Sequence, residues 1–383
     1  MRRRMVVLLV DALGWELAES VAGFAAALPH RRRLETILGF SSGALPTLFT
    51  GRLPSEHGRW LMYRRAAGGD TPFRGFRWLG LLPPRLRRSW KLTRMLTRLV
   101  ARRGVRGYFS LYQVPRELLE EFDLAERDDI FVPGGLPGDS LWDVVERLGV
   151  PWRGWNWRTP EAEALEAVAQ ALERGPEDFL FCYTPGLDEA LHREGARGAD
   201  VRGRLAVYDG WLSRLTDAAR RRGEDLRLVL LSDHGMLDVR ETMDVMGALA
   251  RLSCRWPRDY VPFFDSTFAR FWWRSAAARG EVRAALEGLR GGRWLGDDEL
   301  ARAGALFAAR EYGEDIYLLD PGVLMVPSFM GSRRLAAMHG YDAAHPGMAA
   351  LLCASHPVPG SVRHLKDVRG YLEDGLAWLT EAR

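Results

Sequence analysis

The sequence predicts an α/β fold with a mostly parallel central sheet, helices on both faces and cap insertions. Three short apolar runs each lead into an acidic residue: MVVLLV before Asp11, DFLFCYTPGL before Asp188 and LRLVLLS before Asp233. Helical patterns lie between them, at residues 163–174 and 204–222. Strands that alternate with helices in this way are typical of a parallel sheet covered by helices.

The acidic residues that follow the three runs are expected along one rim of this sheet. Ligands of open parallel sheets bind outside the carboxyl ends of the strands. Because Asp11, Asp188 and Asp233 each follow a predicted strand, their carboxylates should lie side by side. This rim is therefore the predicted functional site.

Two segments do not fit the alternation of strands and helices. Residues 64–130 are basic and rich in aromatic side chains, and Pro83 and Pro84 interrupt them. Residues 241–320 contain a predicted strand, STFARFWW, and a predicted helix, RGEVRAALEGLR. We therefore predict one domain, residues 1–383, with 64–130 as a basic and aromatic insertion and 241–320 as an α+β insertion that caps the rim.

The composition is that of a soluble globular protein, with 47% hydrophobic and 27% charged residues. The apolar run at residues 5–10 is far shorter than the roughly 20 residues of a membrane-spanning helix. Three arginines before it resemble the start of a secretory signal, but the run is too short for one and Asp11 interrupts it. We expect a buried first strand and a cytoplasmic protein.

The three cysteines, Cys182, Cys254 and Cys353, are widely spaced and form no C-x-x-C pair. This spacing argues against a disulfide framework and against a zinc site built from thiolates.

Histidines accompany two of the rim acids. In GLDEALHREG, Asp188 and His192 are four residues apart and would share one face of a helix, as they also would on an ordinary surface helix. In LLSDHGM, Asp233 and His234 stand at a predicted strand end before Gly235, a pattern that a capped turn also produces.

Two more histidines, His339 and His345, lie in the turn-rich stretch MHGYDAAHPGM. A single loop histidine is usually just solvated. Taken together, however, these carboxylates and imidazoles are the ligands that divalent metals such as zinc accept.

Two serines stand before a predicted helix in GFSSGALPTLFTGRLPSEHG. Ser41 or Ser42 would suit a helix cap, because a serine oxygen accepts hydrogen bonds from the first amides of a helix. Either would also suit a nucleophile.

Five features follow one another along the chain: Asp11, a serine followed by TGRLPSEHG, then DEALH, then SDHGM and finally HGYD. With these features in this order, the sequence resembles the alkaline phosphatase superfamily. Within it, the resemblance is closest to the nucleotide pyrophosphatase/phosphodiesterase branch. It covers about residues 5–60, 178–240 and 320–355 and leaves both insertions uncovered.

The resemblance implies an alkaline-phosphatase-like fold with two divalent metal ions, which would be zinc or else manganese. One metal site would consist of Asp188, His192 and His339, and the other of Asp11, Asp233, His234 and the serine oxygen. His339 is preferred to His345 because the family pattern H-G-x-D, followed by Met-x-Ala-Leu, matches the residues after His339.

The resemblance also implies that Ser41, nine residues before Thr50, is the nucleophile, with Ser42 as the competitor. The serine would be metal-bound, attack phosphorus in line and form a covalent phosphoserine, which a metal-bound hydroxide would hydrolyse. Most phosphodiesterases of this branch have Thr here, then Pro two residues later and often Asn, whereas this chain has Gly43 and Ala44. The expected activity is that of a phosphodiesterase or nucleotide pyrophosphatase, and the missing Asn leaves a phosphomonoesterase as an alternative.

Residues 74–106 contain eleven Arg or Lys and no acid, with Trp78, Trp90, Met95 and several leucines among them. Such a segment would suit peripheral contact with an anionic inner membrane face, and equally a cap helix with a solvated basic face. We expect a phosphorylated small-molecule or lipid-linked substrate, and no nucleic acid, because no recognised binding module accompanies the basic segment. A non-catalytic protein that binds the membrane surface is the remaining alternative.

Overall fold

The structure is a computed structural model that describes residues 2–87 and 89–381. Met1, Arg88, Ala382 and Arg383 lie outside the described residues, and Arg88 belongs to the predicted basic insertion.

The strands of the described residues form one six-stranded sheet, one four-stranded sheet and three two-stranded pairs. In chain order they are β1 (Arg3–Val10), β2 (His30–Leu34), β3 (Tyr63–Arg65), β4 (Phe122–Leu124), β5 (Trp152–Trp155), β6 (Phe179–Thr184), β7 (Asp225–Leu231), β8 (Leu237–Asp238), β9 (Glu241–Met243), β10 (Tyr260–Phe264), β11 (Phe268–Trp273), β12 (Gly292–Trp294), β13 (Asp315–Leu319), β14 (Val323–Met325), β15 (Ala337–Met338) and β16 (Ala350–Ala354).

The α-helices are α1 (Trp15–Glu19), α2 (Ser41–Thr50), α3 (Pro54–His57), α4 (Pro84–Arg87), α5 (Trp90–Arg102), α6 (Leu141–Arg147), α7 (Glu161–Arg174), α8 (Gly186–Glu194), α9 (Ala199–Arg222), α10 (Val245–Leu249), α11 (Ala276–Glu287), α12 (Asp297–Arg302) and α13 (Val368–Thr380). Short 3₁₀ turns occupy Phe76–Leu81, Leu119–Glu121, Pro346–Met348 and Leu365–Asp367.

The central sheet has the order β2-β16-β7-β1-β6-β5. Strands β5, β6, β1 and β7 pair in parallel, whereas β16 is antiparallel to both of its neighbours. The predicted fold class, a mostly parallel sheet in an α/β protein, is confirmed.

Helices cover both faces of this sheet because its inner strands are apolar on both sides. In β1, Met5, Val7 and Leu9 belong to a buried cluster that also contains side chains of α2, α6 and α13. The alternating Val6 and Leu8 belong to a second cluster, with side chains of α7, α8 and α9.

The strand register brings the carboxyl ends of three strands together. Val10 of β1 pairs with Thr184 of β6, and Leu9 pairs with Leu231 of β7. Strand β6 ends earlier than its apolar run predicts, because Pro185 and Gly186 stop it and open α8. Asp188 is therefore a residue of the first turn of α8 and does not stand at the strand end itself.

The four-stranded sheet, β10-β11-β13-β12, is antiparallel and lies apart from the central sheet in the chain. Many of its buried side chains share one hydrophobic cluster with residues of the 64–130 insertion, such as Phe73, Leu96 and Val100. The two segments that interrupt the strand–helix alternation thus pack on each other. No helix among the residues described is long and apolar enough to cross a membrane.

Candidate active site at the carboxyl rim of the sheet

Five segments place side chains at this rim. Asp11 follows β1, Asp233 and His234 follow β7, and Asp188 and His192 lie one turn apart on α8. His339 follows β15, and Ser41 is the first residue of α2. These are the seven residues that the sequence predicts for the site: Asp11, Ser41, Asp188, His192, Asp233, His234 and His339.

One group of these residues is formed by Asp188, His192 and His339. The Nε2 atom of His192 is 3.3 Å from Oδ1 of Asp188, and Nε2 of His339 is 3.6 Å from the same oxygen. Each of the three residues offers a ligand atom, and those atoms lie within 4.8 Å of one another. This spacing suits ligands of a single metal ion.

The second group is formed by Asp11, Asp233 and His234, which are almost completely buried. The Nε2 atom of His234 lies 3.4 Å from Oδ1 of Asp11 and 3.3 Å from Oδ2 of Asp233. The three ligand atoms again lie within 4.8 Å of one another. A second metal ion would therefore find three protein ligands here.

The two groups adjoin through their imidazoles. The rings of His234 and His339 stack with centroids 3.9 Å apart and an interplanar angle of 14°. The edge of Phe40 packs on His339, with ring centroids 5.2 Å apart. The residues from five distant segments thus form one continuous site.

Ser41 opens onto the second group. Its hydroxyl donates to Asp11, at 3.3 Å from Oδ1, and its Oγ is 3.0 Å from Nε2 of His234. The hydroxyl of Ser42 instead donates to the carbonyl of Trp60 at 3.2 Å, away from this group. Of the two serines, only Ser41 therefore has its oxygen among the candidate ligands in the described chain.

His345, the reserve ligand, lies elsewhere in its loop. It stands before the Pro346–Met348 turn, and its Nδ1 accepts a hydrogen bond from the amide of Gly347 at 3.1 Å. Neither group of candidate ligands in the described residues includes it.

The electrostatics of the site reflect carboxylates that are crowded and buried. Burial raises the pKa of Asp11 well above its usual range, and the charges of Asp233 and Asp188 raise it further. Burial also lowers the pKa of His339 well below its usual value, and the neighbouring imidazoles of His234 and His192 add to this effect. For His192, burial works against protonation, but the adjacent Asp188 prevails and the pKa is raised.

This donor set fits divalent cations. Three carboxylates and three imidazoles are ligands that zinc and manganese accept. The Oδ2 atom of Asp233 is fully buried and has no hydrogen-bond partner among the described residues. A buried carboxylate oxygen left without a partner is costly, and a bound cation would supply the missing interaction.

Contacts around the ligands hold them in place. The carbonyl of Ala337 accepts from Nδ1 of His192 at 2.9 Å, and the carbonyl of Gly235 accepts from Nδ1 of His234 at 3.0 Å. In each imidazole this leaves Nε2 facing the candidate metal position. The amides of Ala12 and His234 donate to Oδ1 of Asp233.

Tyrosines near the site were not indicated by any motif. The hydroxyl of Tyr183, on β6, donates to Oδ2 of Asp11 at 2.5 Å. Tyr183 is the next-to-last residue of the buried strand β6, and this proximity to the rim is the only signal in the sequence that points to it. Burial raises the pKa of Tyr108, and the charges of Asp188 and Asp11 raise it further, so Tyr108 of the 64–130 insertion lies within electrostatic range of these two carboxylates.

A family model for type I phosphodiesterase/nucleotide pyrophosphatase matches residues 5–288 of the chain. Among curated proteins, no match is found.

Solved structures with a similar fold include murine and human ectonucleotide pyrophosphatase/phosphodiesterase 5. The murine structure aligns with a TM-score of 0.67 and 15% identity over 98% of this chain and 95% of its own. The human structure aligns with a TM-score of 0.65, the same identity and the same coverage of both chains. A further murine structure, an inactive threonine-to-alanine variant in complex with AMP, aligns with a TM-score of 0.65 and 16% identity over 98% of this chain and 95% of its own.

Proposed function

Because the chain belongs to the type I phosphodiesterase/nucleotide pyrophosphatase family, a family of metal-dependent phosphoester hydrolases, we propose that it cleaves phosphodiesters or pyrophosphates of nucleotide-like small molecules. The observation that carries this proposal is the convergence of six candidate ligands and one serine oxygen on the rim of the sheet. These residues come from segments spread over more than three hundred positions of the sequence.

We assign two metal positions to the two groups. Asp188, His192 and His339 would hold one cation; Asp11, Asp233, His234 and the oxygen of Ser41 would hold the other. When bound, two such cations stabilise a deprotonated serine oxygen and offset the negative charge that develops on the phosphoryl group. The donor set suits zinc, and manganese is the alternative.

Ser41 is the proposed nucleophile. Its Oγ would form a bond to phosphorus while the bond from phosphorus to the leaving oxygen breaks, and that oxygen would depart with the bonding electron pair. The product is a covalent phosphoserine, and attack of water on its phosphorus then releases the phosphate product and restores Ser41. The contact of the Ser41 oxygen with Asp11 and His234 supports this assignment.

The start of α2 would help to hold the phosphoryl oxygens. The amides of Ser41 and Ser42 have no acceptor within the described chain, and they belong to the first turn of a ten-residue helix. Free amides at a helix N-terminus, together with the helix dipole, favour a bound anion. These backbone donors would partly replace the Asn side chain that this chain lacks.

The substrate class rests on the relatives. One murine relative is inactive as a threonine-to-alanine variant and binds AMP, which fits a hydroxyl nucleophile and a nucleotide-like ligand. We further propose that residues 64–130 and 241–320, which share one buried core, form a cap that selects the substrate. The effect of Asp188 and Asp11 on the pKa of Tyr108 supports this role for the first segment.

A phosphomonoesterase is the second candidate. Gly43 and Ala44 stand where this family has Pro and often Asn, so the chain lacks the Asn side chain, and this absence favours the second candidate. Turnover of bis-p-nitrophenyl phosphate and of p-nitrophenyl phosphate by the zinc-loaded and manganese-loaded protein separates the two. We expect the diester to have a kcat/KM at least about tenfold higher. A preference for the monoester would establish the second candidate instead.

The variant Ser41→Ala tests the mechanism, with Ser42→Ala as the matched control. We expect Ser41→Ala to reduce turnover by at least about a thousandfold while metal content, measured by mass spectrometry, stays close to that of the unmodified protein. Ser42→Ala should retain most of the activity, because its hydroxyl contacts only the carbonyl of Trp60. If Ser41→Ala keeps full activity, Ser41 is not the nucleophile.

A further inference from the structure

Exposed large apolar side chains are concentrated in one short stretch of the molecule. The described residues include eight of them, and five lie between positions 78 and 95: Trp78, Leu81, Leu86, Trp90 and Met95. Leu81 is 80% exposed, and the two tryptophans are 61% and 66% exposed. Such clustering on a protein surface marks an interaction site, whereas apolar residues scattered singly need no explanation.

The same stretch carries cations that lack counter-ions. Between positions 74 and 102, seven basic side chains form no ion pair within the described residues: Arg74, Arg77, Arg85, Lys91, Arg94, Arg98 and Arg102. Elsewhere in the fold, arginines such as Arg127, Arg204 and Arg293 contact acidic groups. We call these seven cations and the five exposed apolar side chains the basic–apolar patch.

Helix α5 presents much of this patch as a rigid face. Its inner side is anchored, because Leu96 and Val100 are buried in the hydrophobic cluster shared with the four-stranded sheet. Its outer side exposes Trp90, Arg94 and Arg98 at successive helical turns. Apolar and cationic groups therefore face solvent together on a surface that the fold holds in place.

We propose that the basic–apolar patch docks the protein on an anionic lipid membrane. Tryptophans and leucines surrounded by Arg and Lys are the composition of a surface that inserts shallowly into the headgroup region while its cations contact acidic lipids. A second copy of the chain is a poor occupant, because two such patches would bring fourteen like charges face to face. Nucleic acid would attract the cations but gives no reason to expose Leu81 and Leu86.

This surface is independent of the proposed active site. No member of the patch belongs to either group of candidate metal ligands.

Flotation of the full-length protein with lipid vesicles tests the proposal. One set of vesicles contains about 30% phosphatidylglycerol in phosphatidylcholine, and the other contains phosphatidylcholine alone, both at low ionic strength. We expect binding to the anionic vesicles and binding about a hundredfold weaker to the neutral ones. Absence of binding to anionic vesicles at low salt would overturn the proposal.

Charge-reversal variants separate docking by this patch from attraction by net charge. The triple variant R85E/R94E/R98E changes patch cations, and R221E/R251E/R302E makes the same change in net charge at exposed arginines outside the patch that have no ion pair within the described chain. Each basic group near the surface contributes about fivefold in affinity, so the patch variant should bind at least about a hundredfold more weakly. The control should stay within about threefold of the unmodified protein, and equal losses in both variants would refute docking by the patch.

A variant of the apolar members tests insertion as distinct from charge attraction. W78S/W90S removes two exposed rings and no charge, and its thermal unfolding should match that of the unmodified protein. We expect it to lose most of the binding that persists at about 0.3 M salt, where electrostatic attraction is screened. Two outcomes contradict the proposal: unchanged binding of this variant at that salt, or tighter binding of the unmodified protein to duplex DNA than to anionic vesicles.

Discussion

Replacement of Tyr183 by phenylalanine should weaken metal binding without removing any ligand. The hydroxyl of Tyr183 donates to Oδ2 of Asp11 at 2.5 Å, deep in the buried rim of the sheet. Asp11 must be ionised to hold a cation, yet burial and the neighbouring carboxylates Asp233 and Asp188 raise its pKa. The tyrosine hydrogen bond lowers that pKa and so favours the form that binds metal.

The magnitude follows from the kind of hydrogen bond that is lost. A hydrogen bond to a buried charged group contributes about 1.5–3 kcal/mol. Most of this free energy stabilises the ionised form of Asp11, which is the form that binds a cation. Affinity for the cation at the second group should therefore fall by about 10- to 100-fold, the range found when groups that orient metal ligands are removed. The ring itself remains, so packing around β6 should be preserved.

Competition with a fluorescent zinc chelator measures this effect, and Tyr208→Phe is the matched control. Tyr208 is also buried and also donates to a carboxylate, at 2.7 Å from Oε2 of Glu161, but it contacts no candidate ligand. Both variants lose one buried hydroxyl and should unfold at similarly reduced temperatures. Only Tyr183→Phe should lose zinc affinity and, with it, turnover of bis-p-nitrophenyl phosphate at limiting zinc.

The result that refutes this reasoning is a zinc affinity of Tyr183→Phe within twofold of that of the unmodified protein. Equal loss in the Tyr208→Phe control would refute it as well, because the effect would then arise from general destabilisation. Restoration of full turnover in Tyr183→Phe at saturating zinc would separate weaker binding from a direct role in the chemistry.

Two further predictions concern residues that support the fold around the site. Burial, with the charge of Arg59 adding to it, lowers the pKa of His57 to about 3, so below pH 6.5 the unfolded chain binds a proton that the folded chain excludes. The free energy of unfolding that depends on neutral His57 should therefore be fully present above pH 6.5 and fall on acidification, by about 2 kcal/mol at pH 5. Urea unfolding of His57→Asn should lack this pH-dependent loss. In Gly235→Ala, the new Cβ would lie 2.1 Å from the carbonyl oxygen of Gly347, so the turn that presents His234 must shift. Calorimetry should show a loss of about 1–3 kcal/mol and weaker zinc binding, whereas Gly210→Ala, which meets open space on α9, should leave zinc binding intact and stabilise the fold; unchanged behaviour of Gly235→Ala would contradict the close packing of this turn.

Much of the fold could be predicted from local patterns. The apolar runs before Asp11 and Asp233 are the strands β1 and β7, and the predicted helices at 163–174 and 204–222 lie within α7 and α9. These elements can be predicted because a strand buried on both faces must be apolar throughout, and a helix that packs on the sheet must be apolar at helical spacing. The apolar run before Asp188 predicts an end of β6 that is too late, because this run continues through Pro185 and Gly186 into α8.

The residue pattern alone leaves both serines open as nucleophile, and only the family resemblance favours Ser41 over Ser42. Successive residues of a helix point about 100° apart, so only one of two neighbours can face a given site. The packing of α2 against the sheet turns the oxygen of Ser41 toward Asp11 and that of Ser42 toward the carbonyl of Trp60. No capping hydrogen bond to the side chain of Ser41 is present in the described chain.

The sequence by itself determined the alternation of strands and helices, the family, and the types of side chain at the strand ends. Each of these depends on short stretches of consecutive residues. Only the tertiary structure decided that Tyr183 donates to Asp11, that the oxygen of Ser42 faces the carbonyl of Trp60, and that the basic–apolar patch leaves its tryptophans in solvent. The physical reason is that such contacts join residues far apart in the chain. They depend on strand register and on how helices pack across the sheet, which no local pattern records.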